Sequence, residues 1–481
     1  MATGSISSAG IGSGLDVSSI VAQLVAVESR PLTLLQSQAD SMNSRLSTFG
    51  KLQSYFSTMQ DKANALTTTT LWGGTTASLS NSSAVSVTTS TGATAGSYAI
   101  DVSRLAVGQT VSSTAFGASS TAPGAGSLSI ELGRYASTPG AEFTAKSGSS
   151  AVTINVSADA SLADIRDQIN NASAGVVAAI ITDANGARLS IRSKDTGAEN
   201  AFRIGATESA DDGNVATGLS ALSYDASGAG SSVMGRNVSA ANAELSINGI
   251  SISSASNSLS NVIDGLSLNL RQTTTTPVTL DVATDTATIK KAITDFVDAF
   301  NTTSSFIKAQ TAYNADSRSG GVLQGDRSTM TLQGQLRAVI NEGSTASSSW
   351  GRLSDIGISM ASDGTLKVDD TRLSNAVGSP AELKKLLATD GSGSADSGFA
   401  RRFKRLADTA LGSGGLFENR TSGLKANITR LGNDQTAMQR RIALTETRLR
   451  AQYSALDTKM ASLTALSSYM TQQITQFNRS G

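Results

Sequence analysis

The chain has 481 residues, with 38 Lys plus Arg against 38 Asp plus Glu, and it contains no His and no Cys. Balanced charge gives no global field for nucleic acid or an anionic membrane, and the missing His and Cys exclude structural zinc, thiol nucleophiles, imidazole bases, haem ligation and Ser-His-Asp triads. No disulfide can form, so a length sufficient for about three domains has to be held by packed cores.

Residues 1–14 are rich in Gly, Ser and Ala and carry too little apolar surface to fold alone. Asp16 reads as the N-cap of a short apolar helix bearing Val17, Ile20, Val21 and Leu24. Pro31 resets the helix at its first turn. Beyond it Leu32, Leu35, Ala39, Met42, Leu46 and Phe49 recur at spacings of three and four, and Leu52, Phe56, Met59, Ala63 and Leu66 continue the stripe after a one-residue slip. The helix is expected to end between Thr67 and Gly74. The first Lys or Arg is Arg30 and the apolar stretch Ile20 to Val27 is interrupted by Gln23, so no cleaved secretory signal is expected; no run approaches the roughly 20 apolar residues of a membrane span.

From Ala77 to about Thr275 the period changes to two. Val85-Ser86-Val87, Tyr98 to Val102, Leu128 to Leu132 and Val152 to Val156 read as strands, and Asn185-Gly186 predicts a type I′ hairpin. A weak repeat predicts two modules of strand, turn, short capped helix and strand, one from Ile154 through Ser161 to Ile169, the other from Ile247 through Ser258 to Asp264.

Pro277 ends this insertion. Asp285 is a candidate cap for an amphipathic helix bearing Ile289, Ile293, Phe296, Phe300 and Ile307. A hairpin is predicted at Asp363-Gly364, a short helix with Leu383, Leu386 and Leu387 after Pro380, and a further helix from Phe399 through Phe403 and Leu406. Leu424, Ile428, Leu431, Met438, Ile442, Leu449, Leu456, Met460, Leu463, Met470, Ile474 and Phe477 then form a heptad ladder of about 80 Å, with one slip between Leu456 and Met460 and polar breaks at Gln435, Thr445, Gln452 and Ser467. The fold class is therefore α+β and multidomain, with the N- and C-terminal helices paired as a coiled coil and β-rich domains inserted between them.

Charge is unevenly placed. Thr76 to Thr275 holds 10 basic and 15 acidic residues, whereas Arg401 to Arg450 holds 11 basic and 4 acidic. A solvated Arg-rich helix face and an acidic neighbour in an assembly both account for this.

No catalytic, metal or cofactor site is assembled by these residues. Gly10-Ile11-Gly12-Ser13-Gly14 lacks the preceding strand and following Lys of a phosphate loop, and Asp183-Ala184-Asn185-Gly186 lacks the spaced Glu of a calcium loop. Asp211-Asp212 and Asp369-Asp370 read as solvated turns. The residues that carry function are instead those that pack one helix on another: Leu15, Leu24, Leu35, Met42, Leu46, Phe49 and Phe56, then Ile293, Phe296 and Phe300, then the ladder from Leu424 to Phe477.

Gly10-Ile11-Gly12-Ser13-Gly14-Leu15-Asp16-Val17, followed by Ile20-Val21, Leu24, Glu28 and Pro31, closely resembles the N-terminal signature of the flagellar filament cap family, FliD or hook-associated protein 2. Tyr98 to Ala106 is similar to the strand that leaves that family's first helix. Ile247-Asn248-Gly249 through Asp264-Gly265 resembles its flagellin/hook IN motif, and Phe296 to Asn301 with Gly357 to Val368 resembles its C-terminal half. The resemblance implies a terminal helical leg from residues 1–40 and 430–481, disordered in the free subunit and helical in the cap. It implies a helix-rich column from 41–75 and 278–429, an inner β-rich head from 76–120 and 237–277, and an outer head from 121–236. It further implies a non-enzymatic, chaperone-like cap at the distal tip of the filament, a ring of five or six copies that retains exported flagellin. Implied partners are flagellin, hook-associated proteins, an export chaperone and host surface glycans, with no nucleic acid, membrane or cofactor, and export by the flagellar type III route. A hook–filament junction protein or flagellin, or an adhesin on a coiled-coil stalk, shares the paired termini or the Ser/Thr-rich insertion.

Overall fold

Asp16 accepts a hydrogen bond from the Ser19 backbone N–H at 3.0 Å, and the first helix starts at that cap. The Ser18 hydroxyl beside it, and then the Ser19 N–H, hold the Asp16 carboxyl below its ordinary value. The computed structural model describes residues 16–136, 142–227, 232–316 and 318–479, apart from the side chains of Asn314 and Phe477. The Gly-rich segment with Leu15, and the Phe477 side chain, lie outside the described residues. The helices are α1 (Val17–Glu28), α2 (Arg30–Ala65), α3 (Thr69–Trp72), α4 (Leu162–Asn171), α5 (Thr286–Thr311), α6 (Arg327–Asn341), α7 (Asp370–Val377), α8 (Pro380–Ala388), α9 (Phe399–Leu411) and α10 (Leu416–Arg479). Two units divide the chain: a helical one of residues 1–71 and 286–481, and a head of residues 72–285.

In the helical unit the predicted stripes meet. Phe49, Leu52, Phe56 and Met59 of α2, Ile293, Phe296 and Phe300 of α5, Phe399 and Phe403 of α9, and Phe417 and Leu424 of α10 are all buried. Phe403 lies 5.0 Å from Phe296 and 5.9 Å from Phe300 by ring centroid, and Phe417 lies 5.6 Å from Phe56. Each such side chain contributes about 2 kcal/mol by leaving water. Lys62 of α2 pairs with Asp295 of α5 at 3.0 Å.

Two Ser/Gly-rich loops are pinned by one buried cation. The Arg402 guanidinium donates to the carbonyls of Ser397, Glu342, Gly343 and Ala395 and stacks over Phe399 at 4.9 Å. Burial lowers its pKa, and the nearby Glu342 charge opposes that effect.

The head has two cores. The inner one lies under a five-stranded antiparallel sheet, in spatial order Thr75–Leu79, Val278–Thr284, Gly96–Arg104, Ala243–Ile247 and Ile250–Ser254, with a three-stranded sheet of Ser258–Ile263, Leu266–Leu270 and Val85–Thr89. The outer core joins the sheet of Ala201–Glu208, Gly126–Tyr135, Phe143–Ala145 and Val152–Val156 to that of Gly235–Val238, Thr110–Ser112, Gly186–Ser193 and Val176–Asp183. Helix α4 closes it, started by a capping box between Ser161 and Asp164 and tied down by Asn170, whose side chain bonds both N–H and C=O of Ala178.

Several expectations change. The outer core begins by Thr110 rather than 121, because Thr110–Ser112 pairs with Gly186–Ser193. The inner sheet runs on to Thr284 rather than 277, because Val278–Thr284 pairs with strands on both sides. The second repeat module has no helix: Ser258–Ile263 is a strand, since Asn261 replaces the acid of the capping box and takes a positive φ of 58° that bulges the strand.

The hairpin at Asn185-Gly186 forms, but its two loop residues are Ala184 and Asn185, neither at positive φ, and so it is not type I′. Gly186 is required there because a Cβ would stand 2.1 Å from the Phe116 carbonyl oxygen. The type I′ requirement is met instead at Asn248-Gly249, with φ of 49° and 79° between the paired Ile247 and Ile250.

Candidate assembly surface on the terminal helices

Helix α10 is unbroken over 64 residues, about 96 Å, and it runs antiparallel to α2 and α1. Two contacts fix the register: Gln435 donates from Nε2 to the Leu35 carbonyl at 3.1 Å, and Arg441 pairs with Glu28 at 3.5 Å. Gln435, a polar break in the ladder, thus finds a backbone acceptor inside the seam.

Along this seam the α2 and α10 positions become more exposed toward the α1 end, where Val17 and Val21 of α1 stay buried. Phe49, Phe56, Leu424 and Leu431 are buried; Leu35, Met42, Leu46, Ile428, Met438, Ile442 and Leu449 are half-buried. Ile293, Phe296 and Phe300 sit wholly inside the helical core, so they hold the column together and offer nothing to a neighbour. Leu24 is 40% exposed, contrary to its expected place in the seam, because Val17 and Val21 take the inward positions of α1.

The end of the seam follows from the same register. Helix α1 begins at Val17, which lies opposite roughly residue 453 of α10. Past that point no described N-terminal residue lies opposite the ladder: Leu456, Met460, Leu463, Met470 and Ile474 are 45%, 38%, 59%, 55% and 57% exposed. The slip expected between Leu456 and Met460 leaves no break in the helix. Ile428, Gln435, Ile442, Leu449, Leu456, Leu463 and Met470 keep one seven-residue column, and only the flanking column changes, from Leu424, Leu431 and Met438 to Tyr453, Met460, Ser467 and Ile474. A strict seven-residue repeat suits a left-handed supercoil with another helix. No Asp, Glu, Lys or Arg occurs between Met460 and Asn478. Upstream, Lys425, Arg430, Arg440 and Arg448 are exposed on α10 and form no ion pair among the described residues, whereas Arg450 pairs with Glu446.

Sequence reading missed the Arg402 clamp and the inward turn of Val17 and Val21; the i, i+4 spacing of the two valines carried the second signal. It also read Asp211-Asp212 as a solvated turn without Glu208, whose carboxylate joins theirs in a cluster with oxygens within 4.8 Å of one another. These groups are engaged locally: Glu208 accepts from the Ser220 N–H, Asp211 from the Gly213 N–H, and Asp212 from Thr217 and Asn214. Asp369 caps α7, and Asp370 pairs with Lys290. Asp183 accepts from the Asn185 N–H in the hairpin turn.

Residues 13–109 match the family model for the flagellar hook-associated protein 2 N-terminus, and residues 240–465 that for its C-terminus. The flagellin hook IN motif matches residues 142–195, which moves it from Ile247–Gly265 to the outer module, the copy that does contain the capped helix. A flagellar hook-associated protein 2 of Escherichia coli is 35% identical over 98% of each chain, and a B-type one of Pseudomonas aeruginosa is 28% identical over 95% of each. The crystal structure of the flagellar cap protein FliD D1-D2-D3 domains from Escherichia coli superposes with a TM-score of 0.58 at 32% identity, covering 79% of this chain and 99% of that one.

Proposed function

The chain belongs to the flagellar hook-associated protein 2 (FliD) family, and we infer that it caps the distal tip of the flagellar filament, where it retains exported flagellin and promotes its polymerisation. The role is structural and chaperone-like, not enzymatic. The observation that carries it is the exposed stripe from Leu456 to Ile474, which continues an intramolecular seam and has no partner among the described residues. An apolar helix face about 30 Å long is stable in water only when something covers it, and in an assembly that something is a neighbouring helix.

On this reading the subunit forms a ring of five or six copies. Residues 1–40 and 430–481 are the leg, whose end past residue 453 orders on assembly, and the β-rich head forms the plate. Flagellin and hook-associated proteins are its partners at the tip, and an export chaperone holds it before passage through the flagellar type III channel. Host surface glycans are a further partner for the outer head. Neither a flagellin nor a junction protein is favoured, since the N- and C-terminal matches both fall on hook-associated protein 2. Expression of this chain in a strain lacking its own cap subunit tests the reading: filaments should return and monomeric flagellin in the medium should fall. Continued leakage of flagellin with the protein present outside the cell would refute it.

A further inference from the structure

Two methionines stand in the uncovered stripe. Met460 and Met470 are 38% and 55% exposed, whereas Met59 and Met234, in the helical and head cores, are 0% and 3% exposed. Oxidation of a thioether follows its exposure, so the stripe methionines are the reactive class and the core methionines the inert one. We propose that Met460 and Met470 form an oxidation site through which hydrogen peroxide disables the unassembled subunit, and that assembly closes the site. In the step, a sulfur lone pair attacks one peroxide oxygen, the S–O bond forms as the O–O bond breaks, and the departing hydroxide takes the remaining proton to become water. Sulfur is oxidised by two electrons and the peroxide is reduced by two.

Oxidation of both residues places two strong hydrogen-bond acceptors on a face where, past Met460, Ser467 supplies the one hydroxyl in the two columns, so at least one sulfoxide meets no donor there. Leu456, Leu463 and Ile474 are the apolar neighbours along the face, and no Lys or Arg lies between Met460 and Asn478. A sulfoxide covered by a neighbouring helix is left unsatisfied, and it resists burial. With no Cys in the chain, no thiol competes for the oxidant. Met330, 59% exposed, is the internal control: it lies on α6 opposite the inward-facing Leu332, Leu336 and Ile340 and outside the stripe.

The inference rests on the stripe being covered in the cap. Purified full-length protein is treated with hydrogen peroxide until peptide mapping finds one added oxygen on both Met460 and Met470, then mixed with uncapped filaments, and tip occupancy is counted by electron microscopy. Occupancy should fall on the order of tenfold, the M460L/M470L protein should stay within about twofold of its untreated value, and methionine sulfoxide reductase should restore the wild type. Full occupancy with both sulfoxides present, or an equal loss in M460L/M470L, overturns the oxidation site alone. Untreated wild type that binds no tips overturns the cap reading, and the oxidation site with it.

Discussion

Arg402 reinforces two Ser/Gly-rich loops that also bond each other directly, the Ser344 hydroxyl donating to the Ser397 carbonyl and the Thr345 N–H to the Ala395 carbonyl. Its guanidinium is buried, stacked on Phe399 and bonded to four carbonyl oxygens, so truncation takes a donor from each of those carbonyls and empties the space over the ring. Arg402→Ala should lower the urea-unfolding free energy of the full-length protein by about 3 kcal/mol, with Arg402→Lys intermediate. A loss below about 0.5 kcal/mol would mean that water replaces the guanidinium without cost. Glu382 secures one of the same loops: it accepts from the Ser347 hydroxyl at 2.7 Å and the Ser348 N–H, and it pairs with Lys385 at 2.7 Å. Lys385 first, and then Ser347, hold its pKa down at about 2, against an ordinary 4.5. A depressed folded pKa gives stability that is fully present above the unfolded value and lost as pH falls through the folded one. Acidification from pH 4.5 toward about 2 should therefore release this loop, reported by Trp350 fluorescence, and Glu382→Gln should remove that part of the acid response. An identical acid response in the variant would assign the change to other carboxylates.

The long helices were legible as elements because their apolar residues recur over many turns, and α5 and α10 are where Ile293, Phe300, Leu424 and Leu449 put them. Legibility failed where a few residues decide. At Ser258 the apolar pattern fits a short helix or a bulged strand equally, and only pairing with Leu266–Leu270 chooses the strand. At Leu24 the stripe is too wide for one partner helix to cover, so periodicity names the face without naming its centre. The site divides in the same way: the ladder was visible from Leu424 to Ile474, but where its intramolecular partner ends was not, because that depends on the register set by Gln435 and Arg441. That end separates two variants. Leu449 is half-buried beside the N-terminal helices, so Leu449→Asp should destabilise the free subunit by about 1–3 kcal/mol. Leu456 is 45% exposed, so Leu456→Asp should change free-subunit stability by less than about 0.5 kcal/mol and still abolish capping. Capping by Leu456→Asp at the wild-type level would take the stripe out of the mechanism.

The chain crosses between its two units only twice, at residues 71–72 and 285–286. The head closes on itself just inside those crossings. Thr75–Leu79 pairs with Val278–Thr284 over five registered positions, and the Asp285 N–H donates to the Gly74 carbonyl at 3.0 Å. The fragment's two ends therefore leave as neighbouring strands of one sheet, and both of its cores are built from residues between them. A fragment of residues 72–285 should fold alone, with a β-type circular dichroism spectrum and a cooperative thermal transition. It should fail to cap, since it carries none of α10. The helical unit gives the opposite expectation at its tip, where the ladder past residue 453 has no described partner and a lone amphipathic helix is marginal in water. Hydrogen exchange on a demonstrated monomer of the full chain should find slow amides in the head strands and in α2, α5 and α9, and fast ones from Leu456 to Ile474. Strong protection over that last stretch would mean that the stripe is already covered in the free subunit. Capping would then need that cover displaced, where an open helix needs only a neighbour.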